Sequence, residues 1–209
     1  LRGDGRVLSR QAREDCVQGD LKTGEGIDAA VAGADVIIHC AGTGKGDEHT
    51  TATLVEAAKR NGSPHLVYIS VVGADRIPVV SRTDRAMFGY FASKRAAERV
   101  IAESGLPWTT LRATQFHDLA FSAVSAMAKL PVIPVPRGVR LQPVDTGEVA
   151  ARLAELAAGP PAGLVEDIAG PRVYGMDELL RSYLQAVGKR RLLVGMPLPG
   201  GAARAFRAG

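Results

Sequence analysis

Aromatic residues are scarce in this chain, since phenylalanine, tryptophan and tyrosine together make up 5% of its 209 residues. That scarcity disfavours a β-sandwich whose core is built on aromatic pairs. Glycine, with 24 residues, is abundant, and alanine and valine are frequent. The composition therefore favours closely packed layers of helices and strands. The length suits one domain, or one domain with a small lobe.

Cysteine is also rare. Cys16 and Cys40 are the two in the chain, and their spacing matches neither a disulfide framework nor a metal site. We expect both to be reduced thiols in or near the core, with Cys40 inside an apolar strand. His39 lies in the same stretch and is predicted to be a buried core histidine. The histidines lie too far apart, without cysteine partners, to predict a metal site.

Long hydrophobic runs and a large excess of one charge are missing as well. The apolar stretch at 34–40 is far shorter than the roughly 20 residues of a membrane span. No signal peptide opens the chain, so we expect a cytoplasmic protein without a membrane partner. The net charge of +4 is mild, and basic residues do not alternate with aromatic ones. Nucleic acid is therefore not an expected partner.

Short apolar strands alternate with helices through residue 115, which predicts an α/β fold with a doubly wound parallel sheet. The run at 34–42 predicts a strand buried on both faces. Proline-rich residues 131–143 predict an extended lobe or lid. We therefore divide the chain into a core at 1–130 and a lid with a C-terminal lobe at 131–209, packed on that core.

Tyr90 and Lys94 are the most informative pair in the chain. Two residues four apart share one face of a helix and can touch one substrate. A lysine held there is expected to lower the pKa of the phenol, which then serves as a proton donor or acceptor near neutral pH. The alternative is a solvated lysine beside a half-buried tyrosine. The strand at 65–73 and the helix around 94–103 favour the catalytic interpretation.

Ser9 and Arg10 follow the first visible strand, and ligands of such sheets bind beyond the carboxyl ends of the strands. An arginine and a hydroxyl at this place can hold the 2′-phosphate of NADP, where an acidic residue would favour NAD. The sequence therefore predicts NADP(H) rather than NAD(H). The alternative is that Arg10 is a surface charge.

Other strand ends supply further candidates for a cofactor site. The carboxylate of Asp20 and the side chain of Leu21 are predicted to flank the adenine. Ala41 and Gly42 are predicted to let the backbone approach a ribose. The glycine-rich run at 42–46 matches neither the P-loop nor the dinucleotide fingerprint, so we interpret it as a loop.

Seven stretches follow one another in the chain with recognisable residues: 7–10, 19–21, 36–42, 66–70, 90–94 with Glu98, 105–112 and 142–150. Together they resemble the atypical short-chain dehydrogenase/reductase group, near its NmrA-like and NAD(P)H-binding members. The resemblance implies a Rossmann sheet with a small C-terminal lobe over the substrate. It also implies that Lys94 holds the nicotinamide ribose and that Tyr90 is the general acid. Ala113, Thr114 and Gln115 would line the nicotinamide pocket.

The chain departs from that group in two places. The first strand and the glycine-rich phosphate loop of the group have no counterpart, so we expect the chain to start after them. The serine that assists the tyrosine is replaced by Val72, which cannot polarise a carbonyl. Ser70 is a substitute if the loop bends, and otherwise a hydroxyl that caps the end of the strand.

These observations predict an NADP(H)-dependent oxidoreductase that acts on a small carbonyl or quinone-like molecule, with Tyr90, Lys94 and Ser70 as catalytic residues. The alternative is a non-catalytic NAD(P)H sensor of the NmrA type that regulates a protein partner. A third interpretation is an inactive fragment with exposed strand edges. The sequence does not distinguish a monomer from a homo-oligomer.

Overall fold

The structure is a computed structural model that describes residues 5–42, 45–77, 79 and 82–197, apart from the side chains of 82–87. Strands and helices alternate over most of this length. In chain order the elements are β1 (Val7–Ser9), β2 (Cys16–Gln18), α1 (Ile27–Val31), β3 (Val36–His39), α2 (Asp47–Arg60), β4 (His65–Val71), α3 (Arg82–Ala102), β5 (Trp108–Ala113), α4 (His117–Met127), β6 (Val132–Pro136), β7 (Arg140–Leu141), α5 (Thr146–Ala158), β8 (Gly163–Leu164), β9 (Tyr174–Gly175), α6 (Met176–Ala186) and β10 (Leu192–Met196).

The central sheet has four parallel strands in the order β3, β4, β5, β8. Its register aligns Val36 with His65 and Leu66 with Trp108. Because side chains alternate along a strand, β4 sends Leu66 and Tyr68 to one face and Val67 to the other. These residues belong to two separate hydrophobic clusters. The prediction of a parallel α/β sheet is therefore confirmed.

Helices cover both faces of this sheet. Helices α1, α2 and α3 pack on the face of Tyr68 through Leu54, Ala97 and Ile101, and α5 packs on the face of Val67. The buried positions of α5 are Val149, Leu153 and Ala157, which recur every four residues as an amphipathic helix requires. Asp145 starts this helix, since its carboxylate accepts hydrogen bonds from the amides of Gly147 at 2.8 Å and Glu148 at 3.3 Å.

Strand β3 corrects one expectation. The run at 34–42 was expected to form a strand buried on both faces, but Ile38 is 37% exposed. The reason is topological: in the described part of the chain β3 pairs only with β4, and strands β1 and β2 form a separate parallel pair. One side of β3 is therefore an edge.

The later part of the chain forms two small sheets. Strands β6 and β10 pair in parallel, and β7 and β9 pair antiparallel. Helices α4 and α6 pack against β6 through Val124, Ile133 and Leu180. The extended structure expected for the proline-rich stretch is present. The boundary at residue 130 stays a prediction, although β8 and α5, which both follow it, belong to the layers of the central sheet.

Gly170 makes the closest backbone approach in this region. A Cβ atom built there would lie 1.7 Å from the carbonyl oxygen of Pro143, so Gly170→Ala must displace backbone. We expect a loss of unfolding free energy of about 3 kcal/mol, at the upper end of overpacking effects. Gly89→Ala is the matched control, because its Cβ would meet nothing within 4 Å and helical alanine is favoured over glycine by about 0.5–1 kcal/mol. Urea unfolding of both variants distinguishes the two effects; equal stabilities would contradict the close approach.

Candidate active site

Tyr90 and Lys94 lie one turn apart on α3, next to the carboxyl end of β4. The Lys94 side chain is buried, with 6% of its surface exposed, and its Nζ donates a hydrogen bond to the carbonyl oxygen of Ile69 at 3.3 Å. Tyr90 is 43% exposed. The pair therefore combines a fixed, buried cation with a phenol that a ligand can reach, as the spacing predicted.

Asp47 is the charged partner of Lys94. Its Oδ2 lies 3.7 Å from Lys94 Nζ, and its side chain is 1% exposed. Asp47 is the first residue of α2 and follows Gly46, whose φ of 76° is easily adopted only by glycine. The amide of Asp47 donates to Ser93 Oγ at 3.0 Å. Ser93 and Lys94, two consecutive residues of α3, thus both contact Asp47 at the start of α2.

The rings around Lys94 correct the expectation for the tyrosine. Lys94 Nζ lies 4.9 Å from the centroid of the Tyr68 ring and 6.0 Å from that of Tyr90, so the nearer ring is a buried one on β4. Burial raises the pKa of Tyr90, and the negative charge of Asp47 raises it further. The predicted lowering of this pKa by lysine is therefore wrong. Tyr90 stays protonated at neutral pH.

Gly42 forms the surface directly over the ion pair. A Cβ atom at this position would lie 3.0 Å from Asp47 Oδ2 and 3.0 Å from Lys94 Nζ. The absence of a side chain therefore opens the space above the ammonium group. Ala41 and Gly42 are both exposed, so a sugar hydroxyl can approach Lys94 from this side. The structure thus brings Gly42 together with Lys94, while Ala41 is the exposed residue before it.

Ser70 is the last but one residue of β4 and pairs with Arg112, and its hydroxyl makes no hydrogen bond to a described residue that would cap the end of the strand. It shares a face with Tyr68, the face that α3 covers. The residue is 5% exposed, and its Oγ has no hydrogen-bond partner in the described part of the chain. Val72 follows the strand and is held by its amide, which donates to the carbonyl oxygen of Ala113 at 3.0 Å.

The segment after β5 passes the same edge of the sheet. Ala113 is buried, and Thr114 Oγ1 donates to the carbonyl oxygen of Gln142 at 2.6 Å. Gln115 places a buried Oε1 here that no described residue contacts by a hydrogen bond. A buried carbonyl oxygen without a donor is costly, and an amide group of a ligand can satisfy it. These three residues keep the role of pocket lining as a prediction.

The residues predicted to bind the adenosine half of the cofactor lie at the carboxyl ends of β1 and β2 or just after them. Ser9 and the exposed Arg10 end β1, and Ser9 Oγ accepts from the amide of Gln11 at 3.2 Å. The carboxylate of Asp20 accepts from the amide of Lys22 at 2.8 Å. Leu21 is 8% exposed and packs in the core with α1 and α2, which leaves little of its surface for a ligand. Their roles in cofactor binding stay predictions.

The structure confirms that His39 is a core residue, whereas the expectation for Cys40 is wrong. His39 is 3% exposed, and its Nε2 lies 3.1 Å from Thr51 Oγ1. Its ring stacks on Tyr68 with centroids 5.2 Å apart. Cys40 was expected inside a strand, but β3 ends at His39 and the thiol lies on an exposed residue. The polypeptide turns away from the sheet one residue earlier than the apolar run suggested.

The buried position of His39 gives the fold a pH dependence. Burial, followed by the charge of Lys94, lowers its pKa to about 4 from 6.5. The unfolded chain therefore binds more protons between these values, so the stabilisation is complete above pH 6.5 and is lost as the pH falls towards 4. We expect about 3 kcal/mol over this window. Denaturant unfolding should show a smaller pH dependence for His39→Gln; an unchanged profile would contradict a neutral His39.

No pattern in the sequence selects Asp47 or Ser93 as residues of the site. An acidic residue in the first turn of a helix is common because it opposes the helix dipole, and nothing in the local pattern marks Asp47 as buried.

Within the described residues no group of three or more His, Cys, Asp and Glu side chains has the arrangement of a metal site. No helix in the same ranges has the length and apolar character of a membrane span.

A sequence profile described as NAD(P)H-binding matches residues 4–157. The chain belongs to this NAD(P)H-binding family. A curated relative, the ceramide reductase of Caulobacter vibrioides (strain NA1000 / CB15N), is 27% identical over 207 residues, which cover 91% of this chain and 62% of that protein. The chain therefore spans less than two thirds of the length of this relative.

Several solved structures share the fold at low sequence identity. A nucleoside-diphosphate-sugar epimerase from Staphylococcus aureus superposes with a TM-score of 0.74 at 19% identity, over 97% of this chain and 78% of that chain. The Citrobacter sp. triphenylmethane reductase complexed with NADP(H) gives 0.71 at 18%, over 93% and 70%. The NADPH-dependent quinone oxidoreductase QOR2 of Escherichia coli gives 0.72 at 20%, over 91% and 70%. These similarities show a Rossmann-type fold.

Proposed function

We propose that this NAD(P)H-binding protein is an NADP(H)-dependent reductase of a carbonyl or quinone-like substrate. The observation that carries the proposal is the buried ammonium of Lys94 under the open surface of Gly42, one helical turn from the accessible phenol of Tyr90. The open surface at Gly42 fits the ribose of a nicotinamide nucleotide. The buried Oε1 of Gln115, which has no hydrogen-bond partner among the described residues, fits its amide. When bound, this cofactor supplies the hydride.

Tyr90 is proposed to supply the proton. Its raised pKa keeps the hydroxyl protonated at neutral pH, which suits a group that donates to the oxygen of a carbonyl during reduction. The carbonyl oxygen gains this proton and the carbonyl carbon gains the hydride, and Tyr90 regains its proton from water. The buried hydroxyl of Ser70 lies on the Lys94 side of the sheet and is proposed to assist. The side chain of Val72, in the place of the usual serine, contributes no donor.

Arg10 is proposed to select NADP(H). It is exposed directly after β1, and no described carboxylate forms an ion pair with its guanidinium. A charge-assisted hydrogen bond to a phosphate contributes about 1.5–3 kcal/mol, so Arg10→Ala should raise the Kd for NADPH by roughly tenfold to a hundredfold and leave that for NADH unchanged. If the Kd values for NADPH and NADH change equally, Arg10 does not bind the 2′-phosphate and is only a surface charge. Arg13→Ala, on the same loop, is the control.

The substrate class is tested by NADPH consumption with three kinds of acceptor. A short-chain ketone represents the proposed carbonyl substrate. A soluble quinone is chosen after the structurally similar quinone oxidoreductase, and a long-chain ketolipid after the ceramide reductase. We expect turnover with at least one of them, and its loss in Tyr90→Phe. Tight NADPH binding without turnover of any acceptor would favour the sensor instead. That alternative is supported by the replacement of the assisting serine by Val72.

A further inference from the structure

The ion pair between Asp47 and Lys94 is enclosed to an unusual degree for two charged side chains. Their exposed fractions are 1% and 6%, with 3.7 Å between Oδ2 and Nζ. An ion removed from water without a partner is strongly destabilised, and removal of one member of a buried pair costs more than the pair itself contributes. Each charge therefore depends on the other.

We propose that Asp47 is the fixed counter-ion of Lys94 and holds its ammonium group beneath Gly42, as a positioning residue of the cofactor site. The distances from a Cβ built at Gly42 to the two side chains are the same, 3.0 Å, so the carboxylate and the ammonium lie side by side under this surface. The amide of Asp47 is tied to Ser93 Oγ. The carboxylate is thus attached to the helix that carries the lysine.

No other described acidic group can replace Asp47 at this distance. Burial lowers the pKa of Lys94, and the negative charge of Asp47 opposes that effect. The charge of Glu98 also favours the protonated form of Lys94. Its two carboxylate oxygens, however, already accept hydrogen bonds from Arg112 at 2.8 and 2.7 Å. The titratable groups around Lys94 come from α2, β3 and its end, β4 and α3, and they are Asp47, His39, Cys40, Tyr68, Tyr90 and Glu98.

The stability of Asp47→Asn tests the counter-ion. Without the carboxylate the folded-state pKa of Lys94 falls further below its ordinary value of 10.5. Between those two values the unfolded chain binds more protons, so the stability of the variant should rise with pH more steeply than that of the wild type. We expect a lower unfolding temperature at neutral pH and a deficit that narrows in alkaline buffer.

A second variant removes the lysine charge as well. Asp47→Asn with Lys94→Met should regain most of the lost stability and lose the extra pH dependence, because no unpaired charge remains. If Asp47→Asn alone does not fold, recovery of folding in the double variant supports the proposal. Glu48→Gln is the control, since its side chain is 35% exposed and a glutamine carbonyl oxygen can still accept the hydrogen bond that Ser93 Oγ donates to Glu48 Oε2 at 3.4 Å; it should change little. A double variant no more stable than Asp47→Asn, or a Glu48→Gln with the same effect, would overturn the counter-ion role.

The positioning role rests on the proposed function and is tested by calorimetric titration with NADPH. Lys94 should lose its proton more readily in Asp47→Asn. As the pH is raised, the Kd for NADPH should therefore increase in this variant by a factor about tenfold larger than in the wild type. A Kd that follows the wild type at every pH would overturn the positioning role. If the wild type binds no NADPH, the proposed function fails, while the unfolding measurements still decide whether Asp47 is the counter-ion.

Discussion

Tyr90→Phe is expected to lower kcat by about 10²–10⁴-fold, the usual contribution of a positioned general acid, and to leave the Kd for NADPH unchanged. The reason is geometric. Lys94 is held by Asp47 and by the carbonyl oxygen of Ile69, so loss of the Tyr90 hydroxyl does not release it. Steady-state kinetics and calorimetric titration of the same preparation separate the two quantities.

Tyr183→Phe is the matched control for this substitution. Its hydroxyl donates to Ser125 Oγ at 3.1 Å between α6 and α4, so its loss affects a helix contact rather than the site. A Tyr90→Phe variant that retains full turnover would remove the phenol from the mechanism. A variant that loses both turnover and NADPH binding would instead show that Tyr90 supports the cofactor cleft.

Arg112→Met is expected to destabilise the fold by about 3–5 kcal/mol, as does the removal of one member of a buried ion pair. The Arg112 side chain is 9% exposed and binds Glu98 through two nitrogens at 2.8 and 2.7 Å. Its third nitrogen lies 3.0 Å from Asp75 Oδ1. Arg112 therefore joins β5, α3 and the loop after β4, and its loss leaves Glu98 unpaired and 13% exposed.

Arg152→Met is the control for that prediction. Arg152 binds Glu155 at 3.0 Å, but their side chains are 44% and 66% exposed, and pairs of this kind contribute about 0–1 kcal/mol. Urea unfolding at one pH compares the two variants. Similar losses, or a small loss for Arg112→Met, would mean that the network around β5 contributes no more than surface charge does.

Much of the fold follows from local sequence patterns. The strand expected at 65–73 is present as β4, which ends at Val71, and strands and helices alternate as predicted. The exposure of Ile38 and Cys40 could not be predicted in the same way. Those exposures depend on which strand lies beside β3 and on where the chain leaves the sheet, and both are set by contacts distant in sequence.

The candidate site divides along the same line. The i, i+4 spacing of Tyr90 and Lys94 indicated a shared face, but it carried no information about the residue that neutralises Lys94. Asp47 lies 47 positions before Lys94 and meets it only when α2 packs on α3. The raised pKa of Tyr90 follows from that same packing, which is why a rule for an isolated lysine and tyrosine predicted the wrong direction.

Calorimetric titration of the chain with NADPH and with NADH tests the central claim most directly. The account predicts saturable binding of one NADPH per chain, weaker binding of NADH, and loss of NADPH binding in Lys94→Met, since the fixed ammonium beneath Gly42 is the proposed contact. Absence of binding by either nucleotide, or binding that Lys94→Met does not weaken, would contradict the assignment of this edge of the sheet as the cofactor site.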